Sequence, residues 1–190
     1  MPRRTGVAVG LVLVAFTIGW LMFTAAPRWF SRQPNPVTAA AAPAPPAPPG
    51  RKIKARLFYV SEDGTRLTSI ERDIAYGEGT LEQAREIIAA QIAPVAEPFV
   101  SAIPQGTTIR ALFMTEAGDA YVDLSREVTT SHTGGTLDEI LTIYTIVNAL
   151  TANLPAITTV QLLVEGKEVD TLSGHVDLRR PLAKNLSWVQ

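Results

Sequence analysis

From residue 51 onward the chain switches between two hydrophobic rhythms, and each switch marks an element. Ile53, Ala55, Leu57 and Tyr59 alternate with Lys52, Lys54 and Arg56, the period of a strand with one wet face. Glu62-Asp63-Gly64 marks a turn, and Leu67 to Ala75 reads as the returning strand. Thr80-Leu81-Glu82-Gln83 has the capping-box pattern; Leu81, Ala84, Ile88 and Ile92 then recur at helical spacing until Pro94. Thr107 to Thr115 is a second strand, turned by Ala117-Gly118-Asp119 into Ala120 to Leu124. After Gly134-Gly135 a further capping box, Thr136-Leu137-Asp138-Glu139, opens a helix over 137–152 that Pro155 closes. Ile157 to Val164 is a β-rich strand ended by Glu165-Gly166-Lys167, and Val169 to Leu178 supplies a last one. The order ββαββαββ predicts an α+β fold, a mostly antiparallel mixed sheet with two helices packed on one face.

The helix over 137–152 is more apolar than a covering helix needs to be. Ile140, Leu141, Ile143, Tyr144, Ile146, Val147, Ala149 and Leu150 wrap most of its circumference, whereas one stripe suffices to cover a sheet. If the sheet takes Leu137, Ile140, Tyr144 and Val147, then Ile143, Ile146 and Leu150 point elsewhere. Two covers fit them. One is internal, the segment 94–106 with Val95, Phe99 and Ile103; the other is a second copy, which makes the three a candidate self-association face.

The first 50 residues follow another pattern. Gly6 to Ala26 runs for 21 positions without a charge, about 30 Å as a helix, and Trp20 and Trp29 lie near its end. This predicts a retained single-pass span in the cytoplasmic membrane. A cleaved signal peptide is the rival reading, given Arg3, Arg4 and the small residues Thr24 to Ala26. Between Pro27 and Gly50 lie eight of the 14 prolines, including the block AAAAPAPPAPP, an extended spacer of up to about 70 Å. The expected organisation is therefore a stub and span over 1–26, a Pro/Ala-rich linker over 27–50 and a globular domain over 51–190. The positive-inside bias favours a cytoplasmic N-terminus and a domain outside the cytoplasm.

Charge divides the chain at the same place. Residues 1–50 carry four Arg and no acid, a net +4; residues 51–190 carry 13 Lys+Arg against 18 Asp+Glu, a net −5. An acidic domain argues against nucleic acid as a partner, since phosphate binding needs clustered cations. The absence of Cys excludes disulfides, thiol catalysis, Cys-held metal sites and lipid attachment through Cys.

Catalytic patterns are sparse. The imidazoles are His132 and His175. His175 and Asp177 share one face of the predicted last strand, but two ligands fall short of the three or four a metal site uses. Ser131-His132 and Ser173-Gly174-His175 are neighbours in sequence, whereas triads assemble in space. Gly77-Glu78-Gly79 lacks the third glycine of a dinucleotide fingerprint and reads as a turn before a helix. Asp138 and Glu139 sit in a helix's first turn, where the macrodipole favours acids. No cofactor, metal or catalytic residue is expected. The alternative is a cell-wall-associated glycan or peptide hydrolase working through carboxylates such as Glu165 and Asp177.

The order of short motifs over 54–178 resembles the GerMN domain family. The residues that carry the resemblance are Leu57-Phe58-Tyr59, Ile70-Glu71-Arg72, Ser101-Ala102-Ile103-Pro104-Gln105-Gly106-Thr107, and Tyr121-Val122-Asp123-Leu124-Ser125. Gly134-Gly135, Ile146-Val147-Asn148-Ala149-Leu150-Thr151 and Val164-Glu165-Gly166 complete the series. Many members have two copies or a lipid-anchoring Cys; here there is one copy, and an apolar span takes the place of the Cys. The resemblance implies an extracytoplasmic, non-enzymatic module of the bacterial cell envelope, related in fold to ring-building modules. Its expected partners are an envelope protein or a second copy.

Overall fold

A computed structural model describes residues 50–190. The predicted span over 6–26 and nearly all of the linker lie outside the described residues. Among the described residues no helix is long and apolar enough to cross a membrane.

The alternating segment at the start forms β1 (Lys52–Val60), which pairs antiparallel with β2 (Leu67–Ala75) in the register Lys52 to Ala75 through Val60 to Leu67. Helix α1 (Gly79–Ile92) follows directly. Gly77 makes this sharp entry possible: a Cβ there would stand 2.4 Å from the Glu82 carbonyl carbon and the Gln83 nitrogen. Gln83 does not form the expected capping box. Its Oε1 accepts the Gly77 N–H at 3.0 Å and its Nε2 donates to the Ala75 carbonyl at 3.2 Å, so it bolts the helix to the end of β2.

Strands β3 (Ile109–Met114) and β4 (Asp119–Leu124) form a second antiparallel pair with a register shift near Ile109 and Ala111. A one-turn helix α2 (Glu127–Thr130) leads to the long α3 (Thr136–Asn153), which carries the chain back so that β5 (Thr159–Val164) lies parallel to β4. Two short strands, β6 (Lys167–Glu168) and β7 (Leu182–Ala183), pair with opposite ends of β5, and a 3-10 turn (Leu186–Trp188) closes the chain. The fold is α+β with mixed sheets and few helices.

Two expectations need correction. The strands do not form one sheet: β1 and β2 stand apart from the order β3-β4-β5-β6. The reason lies on the edge of β1 that faces away from β2. There the Asn153 amide accepts the Arg56 N–H at 2.8 Å and donates to the Arg56 carbonyl at 2.7 Å. Two residues on, buried Gln91 does the same for Phe58, at 2.8 and 2.7 Å. The Val60 N–H then meets the Val100 carbonyl at 2.8 Å. Side-chain amides thus occupy the ladder positions a neighbouring strand would fill. Asn148 forms the same two-bond clasp on the backbone of Asn185. The second correction concerns Val169 to Leu178, which forms no strand. It is an irregular strap between β6 and β7, because its N–H groups are drawn to a side chain rather than to a ladder.

The core runs between the two sheets and around α3, which packs on β1, α1, β5, β7 and the 3-10 turn. Its all-round apolar surface is thereby explained. Ile143, Ile146 and Leu150 are all fully buried within the fold, so the candidate self-association face is interior. The internal cover is the observed one: Thr142 Oγ1 donates to the Ala102 carbonyl at 2.7 Å, Ile103 is buried, and Val95 and Phe99 pack against the core.

Candidate functional site

The most unusual side chain in the domain is Glu139, a carboxylate with no exposed surface in the first turn of α3. The helix needs an acid there only in a general sense; the strap needs this one specifically. Glu139 Oε1 accepts the N–H groups of Leu172 at 2.8 Å and Ser173 at 3.0 Å. Its Oε2 accepts the His175 N–H at 2.8 Å and lies 3.1 Å from His175 Nδ1. Burial opposes the charge, but the N–H groups of Ser173, His175 and Leu172 outweigh it and hold the carboxyl below the ordinary glutamate value. The residue is placed by the apolar stripe of its own helix, four positions before Ile143.

The structure separates most of the sequence-predicted pairs. His175 meets Glu139, not Asp177. Asp177 instead forms a two-pronged pair with Arg179, at 2.9 and 2.7 Å, and that guanidinium holds it well below the usual carboxylate range. Ser173 Oγ is buried without a hydrogen-bond partner, so Ser173 and His175 are not joined as nucleophile and base. His132 belongs to another network: its Nδ1 accepts the Gly134 N–H at 3.0 Å, and its Nε2 lies 3.2 Å from Thr142 Oγ1. Asp138 accepts from Thr133 Oγ1 at 3.1 Å. Glu165 occupies the β5–β6 turn with a left-handed φ of 52°, exposed to solvent.

Asp123 is a second buried acid. It accepts the Gly166 N–H at 2.7 Å and pairs with Arg110 Nε at 3.3 Å, which fixes the same turn to β4 and β3. Both buried acids are therefore engaged by backbone N–H groups and by a basic side chain, and both hold loops.

The concave surface lies elsewhere. An open groove of about 940 Å³ runs between the end of α1 and the segment leading into β3, lined by side chains such as Ile92, Val95, Phe99, Ile103 and Ile109 and by no ionisable group. Val100 stands at it with 59 % of its surface exposed. This arrangement offers apolar contact and no proton transfer.

Comparison with known proteins places these observations. The family model Germane, described as sporulation and spore germination, matches residues 56–170. No curated protein matches the chain. Among solved structures, a candidate lipoprotein from Clostridium perfringens is 21 % identical, with a TM-score of 0.51 over 70 % of this chain and 88 % of that one. The tandem GerMN domains of the sporulation protein GerM from Bacillus subtilis are 17 % identical, with a TM-score of 0.55 over 70 % of this chain and 46 % of that one. The present chain thus spans about half the length of the tandem pair.

Proposed function

The chain belongs to the Germane family of sporulation and spore germination, and from that premise we propose that it is a membrane-tethered, non-catalytic interaction domain of the bacterial cell envelope. In this reading residues 6–26 anchor the chain in the cytoplasmic membrane, 27–50 hold the domain away from it, and 51–190 bind an envelope protein or a second copy. The observation that carries it is the pairing of the family match with the 21-residue uncharged run at the N-terminus. The lipoprotein label on the Clostridium perfringens relative supports an envelope setting. Spending both buried acids on loop backbones supports a role in contact rather than in chemistry. The uncharged groove beside Val100 is the surface best suited to that contact.

Topology is the decisive test. Protease added to intact spheroplasts should degrade the 51–190 domain and leave a short membrane-bound N-terminal fragment. A domain that survives until the membrane is lysed overturns the proposal.

A further inference from the structure

Residues 182–190 are attached to the domain differently from the strap before them. Leu172 and Leu178 are buried, but from Arg179 onward no residue is; Leu182 and Val189 rest partly against the core, and Leu186 keeps 45 % of its surface exposed. Among the described residues, every hydrogen bond between the rest of the domain and this segment falls on the segment's backbone. Thr159 and Val160 of β5 pair with Ala183 and Leu182. The Asn148 amide donates to the Asn185 carbonyl at 2.9 Å and accepts its N–H at 3.0 Å. Arg66 Nη1 donates to the Ser187 carbonyl at 3.3 Å, and the Leu67 carbonyl accepts the Gln190 N–H at 2.9 Å. A track of this kind recognises an extended main chain and reads no polar side chain, which is the chemistry of strand addition. At its centre is Asn148, an amide of α3 with no exposed surface, and both of its bonds go to the segment. An amide so placed is costly to leave without a backbone to hold.

We propose that 182–190 is an exchange segment, which leaves its own domain and docks in the same track on a second copy of this chain. The second copy is the partner because it carries a segment already shown to fit, and exchange replaces each contact by an identical one. The hinge lies at Arg179, Arg180 and Pro181, all exposed. Leu178, just before it, is fixed: its side chain is buried, its N–H bonds to the Asp170 carbonyl at 2.8 Å, and its carbonyl accepts the Gln161 amide. Three residues span at most about 10 Å, so the two bodies must lie in contact, and reciprocal exchange closes a two-fold dimer. The segment also lies beyond residues 56–170, which the family model matches, so its departure leaves the matched body whole. The inference rests on the proposed interaction role and names its partner; tethering in a membrane supplies the local concentration that favours exchange.

The test uses detergent-solubilised full chains and two substitutions. Asn185→Pro spoils the segment, since proline lacks the N–H that Asn148 accepts and its ring cannot take the φ of −139° found there; Asn148→Leu spoils the track. Amide protection in β1 reports that each fold survives, and wild type replaces Asn148→Leu if that variant does not fold. A labelled peptide of residues 181–190 should bind Asn185→Pro at least about tenfold more tightly than wild type, whose own segment competes at high effective concentration. The same peptide with proline at position 185 should not bind. Differently tagged Asn148→Leu and Asn185→Pro chains should co-purify when mixed, because the first supplies a segment and the second a track, while neither variant pairs with itself. Equal affinity of the peptide for wild type and Asn185→Pro, or binding by the proline peptide, overturns the exchange. Peptide binding without co-purification of the mixed chains overturns the second copy as partner. Neither assay depends on membrane orientation, so this inference and the topology proposal fail separately.

Discussion

Glu139 shows how one residue can set the course of a whole segment. Replacing it with Ala strands three N–H groups beneath the strap, each costing about 1–3 kcal/mol when left buried and unpaired, so a net loss of about 2–4 kcal/mol is expected. The pH dependence has a definite sign. The folded-state carboxyl titrates below its ordinary value of 4.5, so its contribution is fully present above that value and is lost as pH falls through the lower, folded one. Urea unfolding at pH 7 and at successively lower pH should show the gap between wild type and Glu139→Ala narrowing under acid. A gap of constant width contradicts this account. In sequence Glu139 reads as an ordinary first-turn acid favoured by the macrodipole; its place four residues before Ile143, on the buried stripe, is the signal that reading passes over. Its partners were not legible, because the residues that bind it, 33 to 36 positions away, offer backbone N–H groups that every sequence possesses.

At the scale of the element, hydrophobic period located strands and helices well where both faces of the element obey it. The segment Leu67 to Ala75 is a strand over its full predicted span, and the long helix gains only Thr136 and Asn153 at its ends. Period says nothing, however, about which edges pair. Gln91 and Asn153 look like ordinary polar residues of two helices, yet together they close the edge of β1. Gln91→Leu conserves much of the volume and removes both bonds to Phe58, leaving a buried N–H and carbonyl unpaired; a loss of about 2–4 kcal/mol in chemical unfolding is expected. Asn153→Leu should cost less, because the Arg56 bonds lie near solvent. If Gln91→Leu were neutral, the amide would be filling space and not serving as a strand. The strap was misread for the complementary reason: Val169, Leu172, Val176 and Leu178 have strand-like composition, but only Leu172 and Leu178 are buried.

For the molecule as a whole, the α+β class was readable and the division into two sheets was not, since the outer edge of β1 is closed by two amide clasps rather than by any apolar pattern. The family match covers residues 56–170 of the body that this architecture builds, and the hydrogen bonds within that body hold its buried acids against loops. A hydrolase reading predicts that the purified protein releases soluble fragments from peptidoglycan and that Glu165→Gln with Asp177→Asn abolishes the release. The expected result is no release above a buffer control, because Asp177 is committed to Arg179 and is kept ionised, which disqualifies it as a proton donor.

The clasps on β1 also decide how the domain bears mechanical load. The chain enters the domain at Arg51, whose carbonyl accepts the Tyr76 N–H at 2.9 Å, beside the end of β1 where Lys52 pairs with Ala75. A pull that lifts residue 51 away from β2 breaks the ladder rung by rung, since each pair is loaded only after the one before it has gone. Peeling of this kind meets little resistance over Lys52 to Ala55. At Arg56 it reaches the first amide, and from there β1 is gripped on both edges, by β2 on one side and by Asn153 and Gln91 on the other. The strand therefore behaves as a frayed cord spliced into the helices at its fourth residue beyond Lys52, yielding about 13 Å of chain, four residues at about 3.3 Å each, before tension reaches the core.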